Sequence, residues 1–392
     1  VEKNEDDSFV QRFESIIETA CKKCGRQVVI LVDEYDKPLV KNLNKPEFEL
    51  FRAQLASLYS NFKTCASNIR MVFLTGVSRF SKLSVFSDLN NLNDITFDDE
   101  FADICGITEE ELLSNFRVGI QQLAKNCEVS YEEACAELKE NYDGYRFSEK
   151  GSDIYNPWSA LNCLSKRDIT NYWNMTGMPT LIAETLKRID ADLEESLNCR
   201  RSKKALLGLD LQSADPTALL YQTGYLTIKN YDRKSQMFTL GVPNREVKEG
   251  LMDVLLPYYV KVRRNTVGQV VEDLVDAART GHPDKMMECL QSYFAGVSYA
   301  MKMENENNFH NAFYILTSLL AINAEAEVQT SDGRIDMLLK SADFIFIIEL
   351  KYDGTARQAL DQINEKRYCL QFRNDPRTVY RIGANFSSET RT

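Results

Sequence analysis

The stretch from Asp332 to Lys351, DGRIDMLLKSADFIFIIELK, decides the fold of the C-terminal part of the chain. It predicts two strands joined by a short turn, about Arg334 to Leu339 and about Phe344 to Leu350. The second is a run rich in Ile and Phe, which is typical of a buried strand. We therefore expect the second strand to be buried.

Charged side chains fall on these apolar strands at Asp336, Glu349 and Lys351. Side chains alternate along a strand, so Glu349 and Lys351 share one face. Burying a carboxylate is unfavourable unless it is paired or binds a metal. Two carboxylates on adjacent strands can hold a hard cation such as Mg²⁺, and a nearby lysine can orient a water or stabilise charge on a phosphate. The alternative is a structural ion pair between Glu349 and Lys351.

The flanking segments predict a complete small domain. A helix is predicted at about Asn305 to Ala321, a second helix at Thr355 to Phe372, and a closing strand at Thr378 to Phe386. The spacing D-x12-E-x-K and this order of elements resemble the PD-(D/E)XK nuclease superfamily, which has the restriction-endonuclease-like fold. The resemblance covers about the last 95 residues, and its fold is an α/β domain.

The resemblance implies roles for four residues. Asp336 and Glu349 would bind one or two divalent ions, Mg²⁺ or Mn²⁺, and Lys351 would position the hydroxide or stabilise charge on the phosphate. Gln362, on the second helix, matches the position from which this fold often supports the site. The implied activity is metal-assisted hydrolysis of DNA.

An acid from the leading helix often completes such sites. Glu306 or Glu304 lies at the matching place, and Glu325 and Glu327 on the first strand are weaker candidates. We interpret His310 as a helix-surface or packing residue rather than a ligand.

Near the N-terminus, Gln27 to Glu34 reads QVVILVDE and resembles a Walker B strand. In such strands the Asp, here Asp33, holds Mg²⁺ and the following Glu, here Glu34, polarises an attacking water. The unbroken apolar run is typical of a buried parallel strand. The alternative is a plain core strand that ends in a solvated acidic turn.

A neighbouring strand is predicted from Arg70 to Thr75. A polar residue just beyond the strand next to Walker B is where AAA-type ATPases place a γ-phosphate sensor. Thr75 and Ser78 are both candidates, and Arg79 would either contact a phosphate or lie on the surface.

The chain as a whole resembles the AAA-ATPase-like family of bacterial proteins that carry a C-terminal PD-(D/E)XK domain. The resemblance implies a partial P-loop core (1–110), a helical region (111–204), a winged-helix-like and helical linker region (205–296) and the nuclease-like domain (297–392). The segments that carry it are VDEYDKP (32–38), TGVSRFSK (75–82), NNLNDIT (90–96), YDGYRF (142–147), YNPWS (155–159) and GANFSSETR (383–391).

One departure from the family concerns the phosphate-binding loop. The P-loop, GxxxxGK[ST], cradles phosphates with its backbone N–H groups and its lysine. No Gly-Lys pair occurs in the sequence. We expect an N-terminal segment that carries the loop to be missing, and the chain as given to bind ATP weakly or not at all.

Composition sets further bounds. A chain of 392 residues with ten cysteines predicts two or three domains, and the cysteines lack disulfide-framework spacing. The single CxxC, from Cys21 to Cys24, is interpreted as incidental rather than as a zinc or redox motif. We expect a cytoplasmic protein without membrane segments, and a homo-oligomer stays open as a partner arrangement.

Charge is distributed unevenly along the chain. The net charge is −11, yet residues 199–264 carry 12 basic and six acidic side chains. This segment would either contact phosphates or form a solvated surface. Two other functions stay open, namely a nucleotide-driven switch and a DNA-binding protein whose nuclease-like domain is non-catalytic. The basic residues considered are Arg200, Arg201, Lys203, Lys204, Arg263 and Arg264.

Overall fold

The structure of the chain is a computed structural model, and it describes residues 8–42, 45–76, 92–173, 179–207, 214–260, 264–300, 306–323, 327–329 and 335–387. Two compact units are built from separated stretches of the chain. Unit 1 comprises Val1–Thr108, Tyr145–Ile154 and Cys199–Gly241, and unit 2 comprises Glu109–Gly144, Tyr155–Asn198 and Val242–Thr392. The four-part division made from the sequence stays a prediction.

The chain mixes helices with small sheets. The α-helices are α1 (Phe9–Cys24), α2 (Lys37–Lys41), α3 (Phe48–Thr64), α4 (Glu109–Asn115), α5 (Arg117–Cys127), α6 (Tyr131–Tyr142), α7 (Pro157–Lys166), α8 (Pro179–Arg188), α9 (Leu193–Leu197), α10 (Lys203–Leu207), α11 (Thr217–Gln222), α12 (Arg245–Tyr259), α13 (Arg264–Thr280), α14 (Pro283–Ala300), α15 (Glu306–Asn323) and α16 (Ala356–Glu365). The strands are β1 (Val28–Val32), β2 (Ile69–Leu74), β3 (Ile107–Thr108), β4 (Ile154–Tyr155), β5 (Arg200–Ser202), β6 (Thr227–Asp232), β7 (Met237–Gly241), β8 (Glu327–Gln329), β9 (Met337–Lys340), β10 (Phe344–Tyr352) and β11 (Thr378–Phe386).

Two of the sheets in the described residues lie wholly within unit 1. Strands β1 and β2 pair in parallel, with Val32 opposite Leu74, and one face of the pair packs on a core of Leu39, Tyr59 and Phe62 supplied by α2 and α3. Val29 and Leu31 are exposed, so within the described residues β1 is not the buried strand that its apolar run predicted. The second sheet is antiparallel in the order β5-β7-β6. Both strands of the predicted pair near Thr227 and Phe238 are therefore present. The winged-helix-like assignment of this region stays a prediction.

Unit 2 ends in a four-stranded sheet in the order β11-β10-β9-β8. The central strand β10 pairs in parallel with β11 and antiparallel with β9. The predicted order of helix, three strands, helix and strand is confirmed by α15, β8 to β10, α16 and β11. The apolar run places Ile345 to Ile348 out of contact with solvent, so both faces of β10 are covered.

Helix α16 crosses one face of this sheet. It begins after Thr355, whose hydroxyl accepts the Gln358 N–H, as is usual for a helix N-cap. Its buried residues Ala359 and Ile363 face the sheet. The single helix predicted from Thr355 to Phe372 is wrong in its second half, because α16 ends at Glu365 and a 3₁₀-helix follows at Tyr368–Phe372.

The helices of the described residues include none that is both long enough and apolar enough to cross a membrane.

Candidate active site

Strand pairing brings the two predicted carboxylates together. The β9–β10 ladder ends with Met337 opposite Ile348, and the next residues of the two segments are Asp336 and Glu349. Asp336 lies one residue before β9 rather than within the strand predicted for it. Its Oδ2 accepts the Leu350 N–H at 2.6 Å, which fixes the carboxylate beside the end of β10.

A glutamine joins the acid and the lysine of β10. The Gln362 amide donates its Nε2–H to Glu349 Oε1, and its Oε1 accepts from Lys351 Nζ at 2.6 Å. Lys351 Nζ also lies 3.7 Å from Glu349 Oε1. Helix α16 thereby orients both charged side chains from across the face of the sheet.

Burial dominates the electrostatics of this cluster. Glu349 is 2% exposed, and burial, together with the nearby charge of Asp336, raises its pKa to about 7 although Lys351 acts in the opposite sense. Burial also raises the pKa of Asp336, against the lowering effect of the Leu350 N–H, Lys351 and His310. Two carboxylates so close together in a desolvated place favour a bound cation or a shared proton.

The Glu349 carboxylate has one unsatisfied atom. Its Oε2 is buried and has no hydrogen-bond partner, whereas buried polar atoms are nearly always paired. An oxygen ligand beside a second carboxylate fits a divalent cation. Within the described ranges no group of three or more His, Cys, Asp or Glu side chains could hold a metal. A cation bound at this place would therefore have two described carboxylate ligands, Asp336 and Glu349.

Close packing sets the position of α16. Gly383 on β11 lies opposite Glu349 in the ladder. A Cβ atom at Gly383 would lie 2.3 Å from the Ala356 carbonyl oxygen and 2.6 Å from the Leu360 nitrogen. The helix that carries Gln362 can therefore approach the sheet this closely only because residue 383 has no side chain.

The N-terminal site has a different arrangement. Strand β1 ends at Val32, one residue before Asp33, and Thr75 directly follows β2. The Thr75 hydroxyl donates to Asp33 Oδ1 at 2.5 Å. Glu34 has a left-handed backbone conformation, with φ of 52°, and its side chain forms an ion pair with Lys37. Asp33 and Thr75 therefore lie together at one end of the parallel pair, and their role in a nucleotide site stays a prediction.

Two family models match separate parts of the chain. One, described as a predicted AAA-ATPase, matches residues 1–86, and one described as the PD-(D/E)XK nuclease superfamily matches residues 304–392. A protein of Azotobacter chroococcum mcd 1, described as "Uncharacterized protein in vnfD 5'region", is 31% identical over 391 residues, which is 97% of this chain and 73% of that protein. The chain belongs to the AAA-ATPase-like family with a C-terminal PD-(D/E)XK domain. No solved structure matches it.

Not every residue that the family resemblance suggested can be placed. Ser78 and Arg79 lie outside the described residues, as do Glu304 and Glu325. Two further acids are placed only by their backbones, Glu306 as the first residue of α15 and Glu327 as the first of β8.

Two features near the PD-(D/E)XK site were missed from the sequence. His310 is exposed on α15, as expected of a surface residue, yet it acts on Asp336 and lowers the pKa of that carboxyl. Gly383 was quoted only as part of a motif. A glycine within a strand often marks a close backbone approach, and that signal would have identified it.

Proposed function

We propose that the C-terminal domain is a metal-dependent nuclease that hydrolyses phosphodiester bonds of DNA. The observation that carries the proposal is the unpaired, buried Oε2 of Glu349 beside Asp336, with Lys351 joined to Glu349 through Gln362. A structural ion pair would leave no reason for the unpaired oxygen or for a second carboxylate beside it.

In this proposal Asp336 and Glu349 hold Mg²⁺ or Mn²⁺. The ion, when bound, would polarise the phosphate and lower the pKa of a bound water. Lys351, about one third of whose side chain is exposed, holds the attacking water and stabilises negative charge that develops on the phosphate. Gln362 holds the side chains of Lys351 and Glu349 in fixed positions through its two hydrogen bonds. Glu306 remains a candidate for an additional acid of the site.

Cleavage of plasmid and single-stranded DNA in Mg²⁺ or Mn²⁺ tests the proposal, with the wild type beside Glu349→Gln. The substitution keeps the size of the side chain and the acceptor for Gln362 but removes the charge. Glu365→Gln, an exposed position on α16, is the matched control. If the Glu349→Gln variant still cleaves DNA, or if the folded wild type cleaves DNA in neither metal, the proposal that this site is a nuclease is wrong.

We further propose that the N-terminal region acts on ATP, with Asp33 holding Mg²⁺ and Glu34 polarising water. Thr75 and, beyond the described residues, Ser78 or Arg79 would sense the phosphate. The Thr75–Asp33 hydrogen bond supports this arrangement. Mg²⁺-dependent ATP turnover by a form of the protein that carries a P-loop segment before β1, with and without Asp33→Asn, tests it. Turnover that is unchanged by the substitution would exclude Asp33.

The alternative is a nucleotide-driven switch whose C-terminal domain does not cut. Turnover of ATP without cleavage of DNA by the same preparation would favour the switch. In either case we propose a cytoplasmic protein that contacts DNA.

A further inference from the structure

The antiparallel sheet β5-β7-β6 concentrates positive charge in an acidic protein. Residues 199–241 carry seven basic and three acidic side chains, whereas the chain has a net charge of −11. An acidic chain repels a polyanion as a whole, so any contact with one requires a localised basic surface of this kind.

The strand register separates an inner face from an outer face of this sheet. Phe238 and Leu240 of β7 are buried and therefore mark the inner face. Thr239 lies between them and is paired with Arg200 of β5 and Asn230 of β6. Since pairs alternate between faces, these three side chains lie on the outer face.

The hairpin between β6 and β7 brings further charge to the end of this face. Asp232 accepts from the Lys234 N–H at 2.9 Å and from the Ser235 hydroxyl at 2.7 Å, which organises the turn. The Arg200 guanidinium donates to both Asp232 and Ser235. Arg200 is thus held at the base of the turn by a single carboxylate.

Arg233 and Lys234 occupy the tip of this hairpin. Both are exposed, and within the residues that the structure describes neither forms an ion pair with an acid. Together with Arg200 they place three cations around Asp232, and Glu149 contacts the nearby Tyr231 hydroxyl. Among the described residues, these three cations therefore outnumber the two acids beside them, Asp232 and Glu149.

A second basic pair follows β5 directly. Lys203 and Lys204 are exposed at the start of α10, and Lys203 Nζ lies 5.1 Å from the centre of the Phe97 ring. Arg201 differs, because Asp215 pairs with it at 2.9 Å.

The structure thus changes the basic set expected from the sequence. Arg200 and Arg201 are paired with acids, Arg263 lies outside the described residues, and Arg264 belongs to the other unit. Within the part of the chain that the structure describes, the hairpin residues Arg233 and Lys234, which the sequence did not single out, are exposed and form no ion pair with an acid.

We infer that the outer face of this sheet, with the hairpin tip, binds the phosphodiester backbone of duplex DNA without reading its base sequence. Arg and Lys together with Ser, Thr and Asn are the side chains that usually contact phosphates. Such a surface binds by charge and position, so its affinity falls as salt rises. The inference does not depend on whether the C-terminal site cuts DNA.

Binding of a fluorescent duplex to the full chain, measured by anisotropy in EDTA over a salt series, tests the inference. EDTA prevents metal-dependent cleavage, so the result is independent of the nuclease proposal. The test variant is R233Q/K234Q, and the control is K22Q/K23Q, which removes two exposed charges from α1 of the same unit. Urea midpoints verify that both variants are folded.

We expect R233Q/K234Q to weaken binding by on the order of tenfold. The slope of log K against log salt should become shallower by about 2, because about one fewer counterion is released from the DNA for each phosphate contact that is lost. The control should bind as the wild type does. Equal effects of the two variants, salt-independent binding, or binding to phosphatidylserine vesicles without binding to DNA would each overturn the inference.

Discussion

Gly383 lies directly opposite Glu349 in the parallel pairing of β10 with β11. Its missing side chain leaves the space into which the first turns of α16 pack. The same helix carries Gln362, which contacts both Glu349 and Lys351. The contact of α16 with the sheet and the geometry of the charged cluster therefore depend on each other.

Gly383→Ala tests this dependence. The added Cβ would meet backbone atoms of α16 at 2.3 and 2.6 Å, so the helix must move. Overpacking of this kind costs about 1–3 kcal/mol, and we expect a lower urea midpoint together with slower DNA cleavage. Gly268→Ala on α13 is the control, since a Cβ there meets nothing within 4 Å. Wild-type cleavage by folded Gly383→Ala would show that the site tolerates movement of α16.

Gln362→Ala removes the link between the acid and the lysine. Glu349 Oε1 would lose the Gln362 donor while Oε2 already has no partner. Loss of a hydrogen bond to a buried charged group costs about 1–3 kcal/mol. We expect a lower urea midpoint and a fall in the maximal cleavage rate that exceeds the change in DNA affinity.

The matched control for that substitution is Gln358→Ala, at an exposed position of the same helix. It should leave cleavage close to that of the wild type. Equal cleavage by the two variants would remove Gln362 from its positioning role.

Strands β10 and β11 of the C-terminal domain were predictable because the pattern of apolar residues in each segment is typical of a strand, whereas β9 begins later than predicted, after Asp336. An unbroken apolar run gave β10, and the Thr378 to Phe386 segment matches β11 residue for residue. The end of α16 was not predictable. The residues that follow Glu365 were predicted to continue the helix, yet Arg367 has a left-handed backbone conformation with a φ of 55°. No glycine or proline in this segment signals that the helix ends there.

Contacts between distant residues were the least accessible from the sequence. A family resemblance was needed to assign four residues to one active site, because their spacing in the sequence also fitted a structural ion pair. These residues are Asp336, Glu349, Lys351 and Gln362. Glu246 gave no signal at all. It is one acid among many along the chain, and only its burial in the fold distinguishes it.

Glu246 holds two backbone groups inside unit 2. Its Oε1 accepts the Tyr172 N–H at 2.6 Å and the Trp173 N–H at 2.9 Å. Glu246→Ala would leave both donors buried without an acceptor. We expect it to lower the free energy of unfolding by about 2–4 kcal/mol, measured as a shift of the urea midpoint.

Glu246→Gln is the informative comparison, because it keeps an acceptor oxygen for both donors. Burial raises the pKa of Glu246, so this carboxyl lowers stability progressively as the pH rises from the unfolded value of about 4 through the raised folded pKa. We expect the Gln variant to be at least as stable as the wild type at neutral pH. A loss as large as that of the Ala variant would contradict this account.

Asp375 and Arg377 provide a pH-dependent contribution to stability before β11. Arg377 donates from Nε and Nη2 to the two carboxylate oxygens at 2.9 and 2.7 Å, and these bonds lower the pKa of Asp375 to about 2. Because the pKa is lower in the folded state, the contribution is fully present above the unfolded value of about 4 and is lost as the pH falls towards about 2.

Asp375→Asn should therefore lower the urea midpoint at neutral pH, and the difference from the wild type should shrink between about pH 4 and pH 2. Asp361→Asn is the control. Its partner Arg357 is 79% exposed, so that ion pair should contribute little at any pH. Urea titrations over this range, with all three proteins in the same buffers, measure the effect. A difference for Asp375→Asn that stays constant down to about pH 2 would mean that the Arg377 bonds do not set the charge state of Asp375.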